Sequence, residues 1–242
     1  MPPRTAIVSR RLLSLTRFTR LVRALPVVLI LCLVGATQAS AQTVSTSVYV
    51  AATSDYVFRG ISLTSEKPAL QGGLDLGWQE LRFSAWASNV DFGGASTADA
   101  ETDLGVVWSR AVTDRIGLSV QAFRFLYFGE DGLDYSEYSA VVDVANATIG
   151  FYFAPDYGGT DGDGTYLDLG YAVALPKALS LGVHVGRNEF DDAVGIEDYW
   201  DYRASLSRSF GRLDADVSFI TTDLPDADAS DARVVASVTA HF

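Results

Sequence analysis

Histidine is a scarce catalytic group in this chain. Its 242 residues contain two, His184 and His241, with one Cys and one Met. Acyl-transfer or lipid hydrolysis would need a His as general base, with a hydroxyl nucleophile and an orienting partner within hydrogen-bond reach. Read every second residue, His184 falls with Ser180, Gly182 and Gly186 on a polar face. No motif around it supplies a nucleophile. The expectation is a His satisfied by water or a neighbouring acid, and no enzyme activity. His241 is expected to cap the last strand pairing. The run Asp161-Gly162-Asp163-Gly164-Thr165 opens like a calcium loop. A calcium-binding EF-hand needs Gly at its sixth position and Glu at its twelfth. Those positions hold Tyr166 and Ala172, so neither a metal site nor a cofactor is expected.

The remaining chemistry is that of charge. Asp75, Glu101, Asp103, Glu137, Asp143, Asp168, Asp214 and Asp216 share the polar face of alternating segments with His184, Arg203 and Arg233. These are the candidates to line a pore. Beside them stand Leu74, Leu76 and Trp78, or Val217 and Phe219, on the opposite face. A period of two marks strands with one polar and one apolar environment. The polar face is rich in Gly, Ser and acids, which suits the inside of a narrow barrel. Arg59, Arg82, Arg124, Arg203 and Arg233 also fall within strands and are expected to meet those acids across the lumen.

About twelve strands can be read in this way, the first over residues 44–62 and the last over 231–242. An even count is what bacterial single-chain barrels require. The first strand is long for one pass, and either a bulge near Ser54-Asp55 or an extension above the membrane is expected. Connections alternate between short, as at Gln79-Glu80 and Ala145-Asn146, and long. Short periplasmic turns and long extracellular loops produce this pattern in up-and-down outer-membrane barrels. The long connections are acidic. Weak divalent-cation bridging to lipopolysaccharide phosphates is a further expectation for them. Aromatic residues cluster near strand ends. Trp78, Phe83, Trp108, Phe210 and Phe242 are expected in a girdle on the short-turn side, and Tyr127, Phe128, Tyr135, Phe190, Tyr199 and Trp200 in one on the long-loop side.

Residues 1–41 read as a cleaved signal peptide, with residues 42–242 as the barrel. Six Arg precede an apolar run over residues 25–34, and Ala39-Ser40-Ala41 supplies the small residues of a cleavage site. That segment takes six of the 18 bases and none of the 30 acids, which moves the formal charge from -12 to -18. A chain this acidic is not expected to bind nucleic acid. No segment after residue 41 is long and apolar enough for a transmembrane helix. An exported membrane protein without such helices must be a closed barrel, because lipid offers backbone groups no partners.

Specific stretches carry a family resemblance. The chain reads T-S-D-Y-V-F-R-G-I-S from Thr53 to Ser62, P-A-L-Q-G-G from Pro68 to Gly73, and S-N-V-D-F-G from Ser88 to Gly93. Further on it reads F-Y-F-A-P-D-Y-G-G from Phe151, H-V-G-R-N-E-F-D-D from His184 and D-Y-W-D-Y from Asp198. It resembles the TorF family of proteobacterial exported β-barrel proteins, named as porins. The resemblance implies a barrel in the outer membrane and an aromatic-ended last strand, with Phe242 as the handle for the barrel assembly machinery. It implies no site residues.

The expectation is therefore an all-β, antiparallel up-and-down transmembrane barrel. It would sit among outer-membrane lipid and lipopolysaccharide and pass small solutes passively. Acids outnumber Arg on the polar face, so cations should be preferred. The competing expectation is a non-conducting structural or adhesive barrel acting through its acidic loops. No residue pattern singles out an oligomer face.

Overall fold

The computed structural model describes residues 44–225 and 228–242. The expected signal peptide, residues 1–41, lies outside them. The described strands are β1 (Val44–Thr53), β2 (Val57–Phe58), β3 (Ile61–Ser62), β4 (Ala69–Trp78), β5 (Leu81–Asn89), β6 (Ala100–Thr113), β7 (Ile116–Phe128), β8 (Tyr135–Val144), β9 (Ala147–Ala154), β10 (Gly164–Leu175), β11 (Leu179–Phe190), β12 (Tyr199–Phe210), β13 (Leu213–Thr222) and β14 (Arg233–His241). Twelve of them close a barrel, and β2–β3 form a separate hairpin. Every barrel strand runs antiparallel to its neighbours. Closure comes from β1, which pairs with β4 on one side and with β14 on the other. No strand of the ring is left with an unpaired row of backbone groups, as a wall in contact with lipid requires.

The faces divide as the alternation requires. Leu70, Val217 and Val234 point outward and are 66%, 52% and 66% exposed, whereas Ser218, beside Val217, is 1% exposed. Apolar side chains outside and polar ones inside are the inverse of a soluble barrel. Each large apolar side chain on this wall gains on the order of 1.5–3 kcal/mol when it leaves water. Lipid is the surround in which such a wall is stable. Val235, the apolar residue on the polar face of β14, is buried in the interior opposite Ser218.

Connections alternate too. Residues 79–80, 114–115, 145–146, 176–178 and 211–212 are short turns, and the rest are longer. Left-handed backbone at Gln79, Ala145, Lys177 and Gly211 lets the chain reverse in so few residues. Four of the longer connections contain single 3-10 turns, for example Asp131–Leu133 and Tyr157–Gly159.

Three expectations need correction. The first strand does not run to residue 62. It ends at Thr53, and the chain turns at Ser54-Asp55 into the β2–β3 hairpin instead of forming a bulge. Arg124 does not face the lumen. It lies next to Phe123 and Phe125, which do, so the pleat sends it outward, where it is exposed and 3.7 Å from Asp134. The aromatic girdle on the long-loop side is also smaller than expected. Phe128 and Trp200 point out, but Tyr127, Tyr135 and Tyr199 are buried. Adjacent residues such as Tyr127 and Phe128 cannot share a face of a strand. The inward rings instead build a core under the long loops. Phe125 stacks on Tyr135 at 4.5 Å between ring centres, Tyr135 meets Tyr157 at 5.0 Å, and Tyr157 meets Phe190 at 5.1 Å.

Glycine on the inner face has a specific use here. Tyr49 pairs with Gly73 and Phe123 with Gly105, and each ring lies flat where a glycine side chain would have stood. The aromatic ring covers the glycine from the neighbouring strand and keeps the wall packed without filling the lumen.

Candidate functional site

The lumen is shaped by the stretch Thr53–Ser62. Asp55 stops β1 from continuing. Its carboxylate accepts the hydroxyls of Ser62 (2.7 Å) and Thr64 (2.9 Å) and pairs with Arg233 on β14 at 3.0 Å. Those bonds fold the connection back on itself as the β2–β3 hairpin. At its tip Arg59 and Gly60 both take left-handed backbone. Gly60 presses on the Thr222 and Asp201 side chains, where no larger residue would fit.

Arg59 is the side chain this hairpin delivers. Its guanidinium pairs with Glu137 on β8 at 2.7 Å, and both side chains are 8% exposed. It lies over the rings of Tyr166 (4.2 Å) and Tyr152 (5.1 Å). The Tyr199 hydroxyl donates to the Arg59 carbonyl at 3.0 Å. A guanidinium held by a carboxylate and aromatic faces is fixed in position as well as neutralised.

Arg59 and Tyr166 separate two chambers, both of which they line. One is about 500 Å³ and is walled by β1, β4–β9 and the hairpin. The other is about 440 Å³, on the β9–β13 side. In the first, Asp75 accepts the Ser84 hydroxyl at 2.5 Å and has Arg82 at 3.9 Å. Asp103 lies between Trp86 and Phe125, its direct partners on the strands either side. In the second, His184 stands between two acids. Asp168 faces Nδ1 and Asp201 faces Nε2, each at 2.7 Å, and the Tyr166 hydroxyl lies 2.8 Å from Nε2. Carboxylates only accept hydrogen bonds, so both bonds form only when both ring nitrogens carry a proton. Such a ring is an internal cross-tie with no free nitrogen to act as a base.

The residues expected to line a pore separate into three groups. Asp75, Asp103 and Glu137 face the first chamber, and His184 and Arg203 the second. Glu101, Asp168, Asp216 and Arg233 point inward but are engaged by neighbours. Glu101 is 1% exposed beneath the Tyr127 hydroxyl at 3.1 Å. Asp168 holds His184, Asp216 holds Arg203 at 2.9 Å, and Arg233 holds Asp55. Asp143 and Asp214 sit toward the short-turn end. Asp143 takes the Thr148 hydroxyl at 2.7 Å, and Asp214 pairs with His241 at 3.0 Å. The sequence reading missed Asp201 and Trp86. Alternation from Arg203 and Arg82 would have put both on the inner face.

The Asp161–Asp163 loop is organised by its own backbone. The Asp161 N–H donates to the Asp156 carboxylate at 2.8 Å, and the Asp163 N–H to that of Asp191 at 3.2 Å. At the rim, Lys67 and the Gly93 N–H hold the Asp91 carboxyl below the usual range. The Ser96 hydroxyl and the Thr97 N–H do the same for Glu130.

The chain belongs to the Gcw_chp family of bacterial proteins of unknown function, whose model matches residues 35–242. No curated protein matches it by sequence. Among solved structures it is similar to the KdgM porin, with 7% identity and a TM-score of 0.55 over 82% of this chain and 99% of that one. It also matches LpxR from Salmonella typhimurium (12% identity, TM-score 0.46, 81% of this chain and 99% of that one). An outer membrane channel from Pseudomonas putida F1 is matched at 12% identity and TM-score 0.44, over 85% of this chain and 97% of that one. At such identities the likeness is one of fold: an outer-membrane type of barrel.

Proposed function

We propose that this member of the Gcw_chp family is a narrow outer-membrane channel for passive movement of small solutes, with a preference for cations. The observation that carries the reading is the lumen itself. A hairpin from the first long connection is folded into a polar interior and divides it into two chambers at Arg59. Twelve strands fall between barrels whose interior is filled and those with a wide aqueous channel. A tethered segment placed across such a lumen sets its bore and its field. Acids outnumber bases around it, and rings of acids favour cations. The KdgM porin fold and the motifs resembling TorF porins support the same reading. The bonds that occupy both nitrogens of His184 support a non-enzymatic role.

The test is single-channel recording in planar bilayers, with reversal potentials under a salt gradient. Discrete conductance steps and a reversal potential of cation-selective sign are expected. No conductance, or anion selectivity, overturns the proposal. The packing of rings beneath the long loops favours one competing reading, a structural or adhesive barrel that does not conduct. Under it, trimming the loops removes a surface interaction and leaves permeability untouched.

A further inference from the structure

A pair of carboxyl groups stands at the wall of the first chamber. Glu101 and Asp103 stand two apart on β6, so both project inward, and their carboxyl groups lie side by side. Glu101 Oε2 and Asp103 Oδ1 are buried oxygens, and the two carboxyl groups are joined by a hydrogen bond of their own, which requires a shared proton. Of the nearby cations, Arg59 is held by Glu137 at 2.7 Å, and Arg82 lies 3.9 Å from Asp75. Asp103 opens onto about 500 Å³ of space whose walls include Tyr49, Trp86, Phe123 and Phe125. Trp86 and Phe125 are its cross-strand partners. Such partners have Cβ atoms roughly 5 Å apart, so one group bound at Asp103 touches both rings.

We propose that this chamber is a binding site for an organic ammonium ion, its charged head on Asp103 and its apolar body between Trp86 and the Phe123–Phe125 wall. The ammonium donates to the Asp103 carboxyl from the chamber side, and aromatic faces attract a desolvated cation. An anion would meet the carboxyl groups of Asp103 and Asp75, which line the same chamber. A convergent polar group in an otherwise aromatic cavity is the usual form of a small-molecule site. The inference deepens the channel reading by naming a solute class, but binding is measured without conduction, so the two can fail separately.

The experiment uses the full mature chain folded in detergent. Phenethylamine is titrated by calorimetry and by Trp fluorescence, with neutral 2-phenylethanol and anionic phenylacetate as controls. Saturable binding of the amine alone is expected. Asp103→Asn should weaken it about tenfold or more, the loss of one charge-assisted bond. Trp86→Phe should retain calorimetric binding and lose the fluorescence change. Unaltered heat-modifiable mobility on gels shows that each variant is folded. Absence of saturable binding, equal binding of amine and alcohol, or an Asp103→Asn variant that binds like the parent overturns the proposal. The first of these results means that the carboxyl pair is satisfied by a shared proton alone. Binding without conductance keeps this site and removes the channel; conductance without binding does the reverse.

Discussion

Arg59 and Glu137 are 78 residues apart in the chain and 2.7 Å apart in the lumen. One comes from the hairpin tip and the other from the barrel wall, so this pair fixes the inserted segment to the wall of the lumen it narrows. Removing one partner of a buried pair costs about 3–5 kcal/mol, because the other charge is left alone. Arg59→Ala should therefore lower stability and raise single-channel conductance together. The double variant Arg59→Ala/Glu137→Gln should be more stable than Arg59→Ala while conducting as freely. Urea unfolding and bilayer recording on the same preparations check this. Unchanged conductance in both variants would mean that Arg59 does not set the bore.

Gly60 is the second lever on the hairpin. Its φ of +84° and its closeness to Thr222 and Asp201 exclude a side chain. Gly60→Ala should cost about 1–3 kcal/mol, by strain and by displacement of the tip. Gly94, at φ +60° with nothing near its missing side chain, is the control. Gly94→Asn should be nearly neutral, since Asn tolerates that conformation. Thermal unfolding of the two variants makes the comparison.

Acidification should loosen the rim before the wall. Asp91 and Glu130 have folded-state values held below their ordinary ones by donors from Lys67, Gly93, Ser96 and Thr97. A depressed carboxyl stabilises the fold fully above its unfolded value, near 4. That contribution is lost as pH falls through the lower folded value. Protease susceptibility of residues 90–99 and 129–134 should be flat from pH 8 to about 5 and rise below about 4. Rising susceptibility between pH 8 and 6 would point to other groups.

Phe242 extends the closing seam. Its N–H donates to the Val48 carbonyl on β1 at 2.9 Å, and its ring is 71% exposed on the outer side. Deleting Phe242 should reduce the amount inserted in the outer membrane more than it reduces the stability of barrels already folded. Quantitative blotting of membrane fractions and thermal unfolding of purified protein separate the two effects. Normal insertion removes the assembly role.

The division of this chain into an apolar outer face and a polar inner one is a local property. Side chains alternate along a strand whatever it pairs with, so Leu74 against Asp75, or Val217 against Ser218, could be assigned from spacing alone. Strand number and the long–short order of the connections followed for the same reason, because each hairpin is closed by residues near in sequence. The interior was not local. Residues 54–62 continue an alternating pattern, and nothing within them says that the chain leaves the wall. Asp55 is turned inward by Arg233, 178 residues away, and Arg59 is held by Glu137 and Tyr199 from other strands. Only closure of the ring brings those partners together, and it also turned Tyr127, Tyr135 and Tyr199 from a supposed girdle into a core. Sequence determined the alternation that sends one set of side chains to the lumen. Tertiary structure decided which of them pair off, and left Asp103 between two aromatic rings.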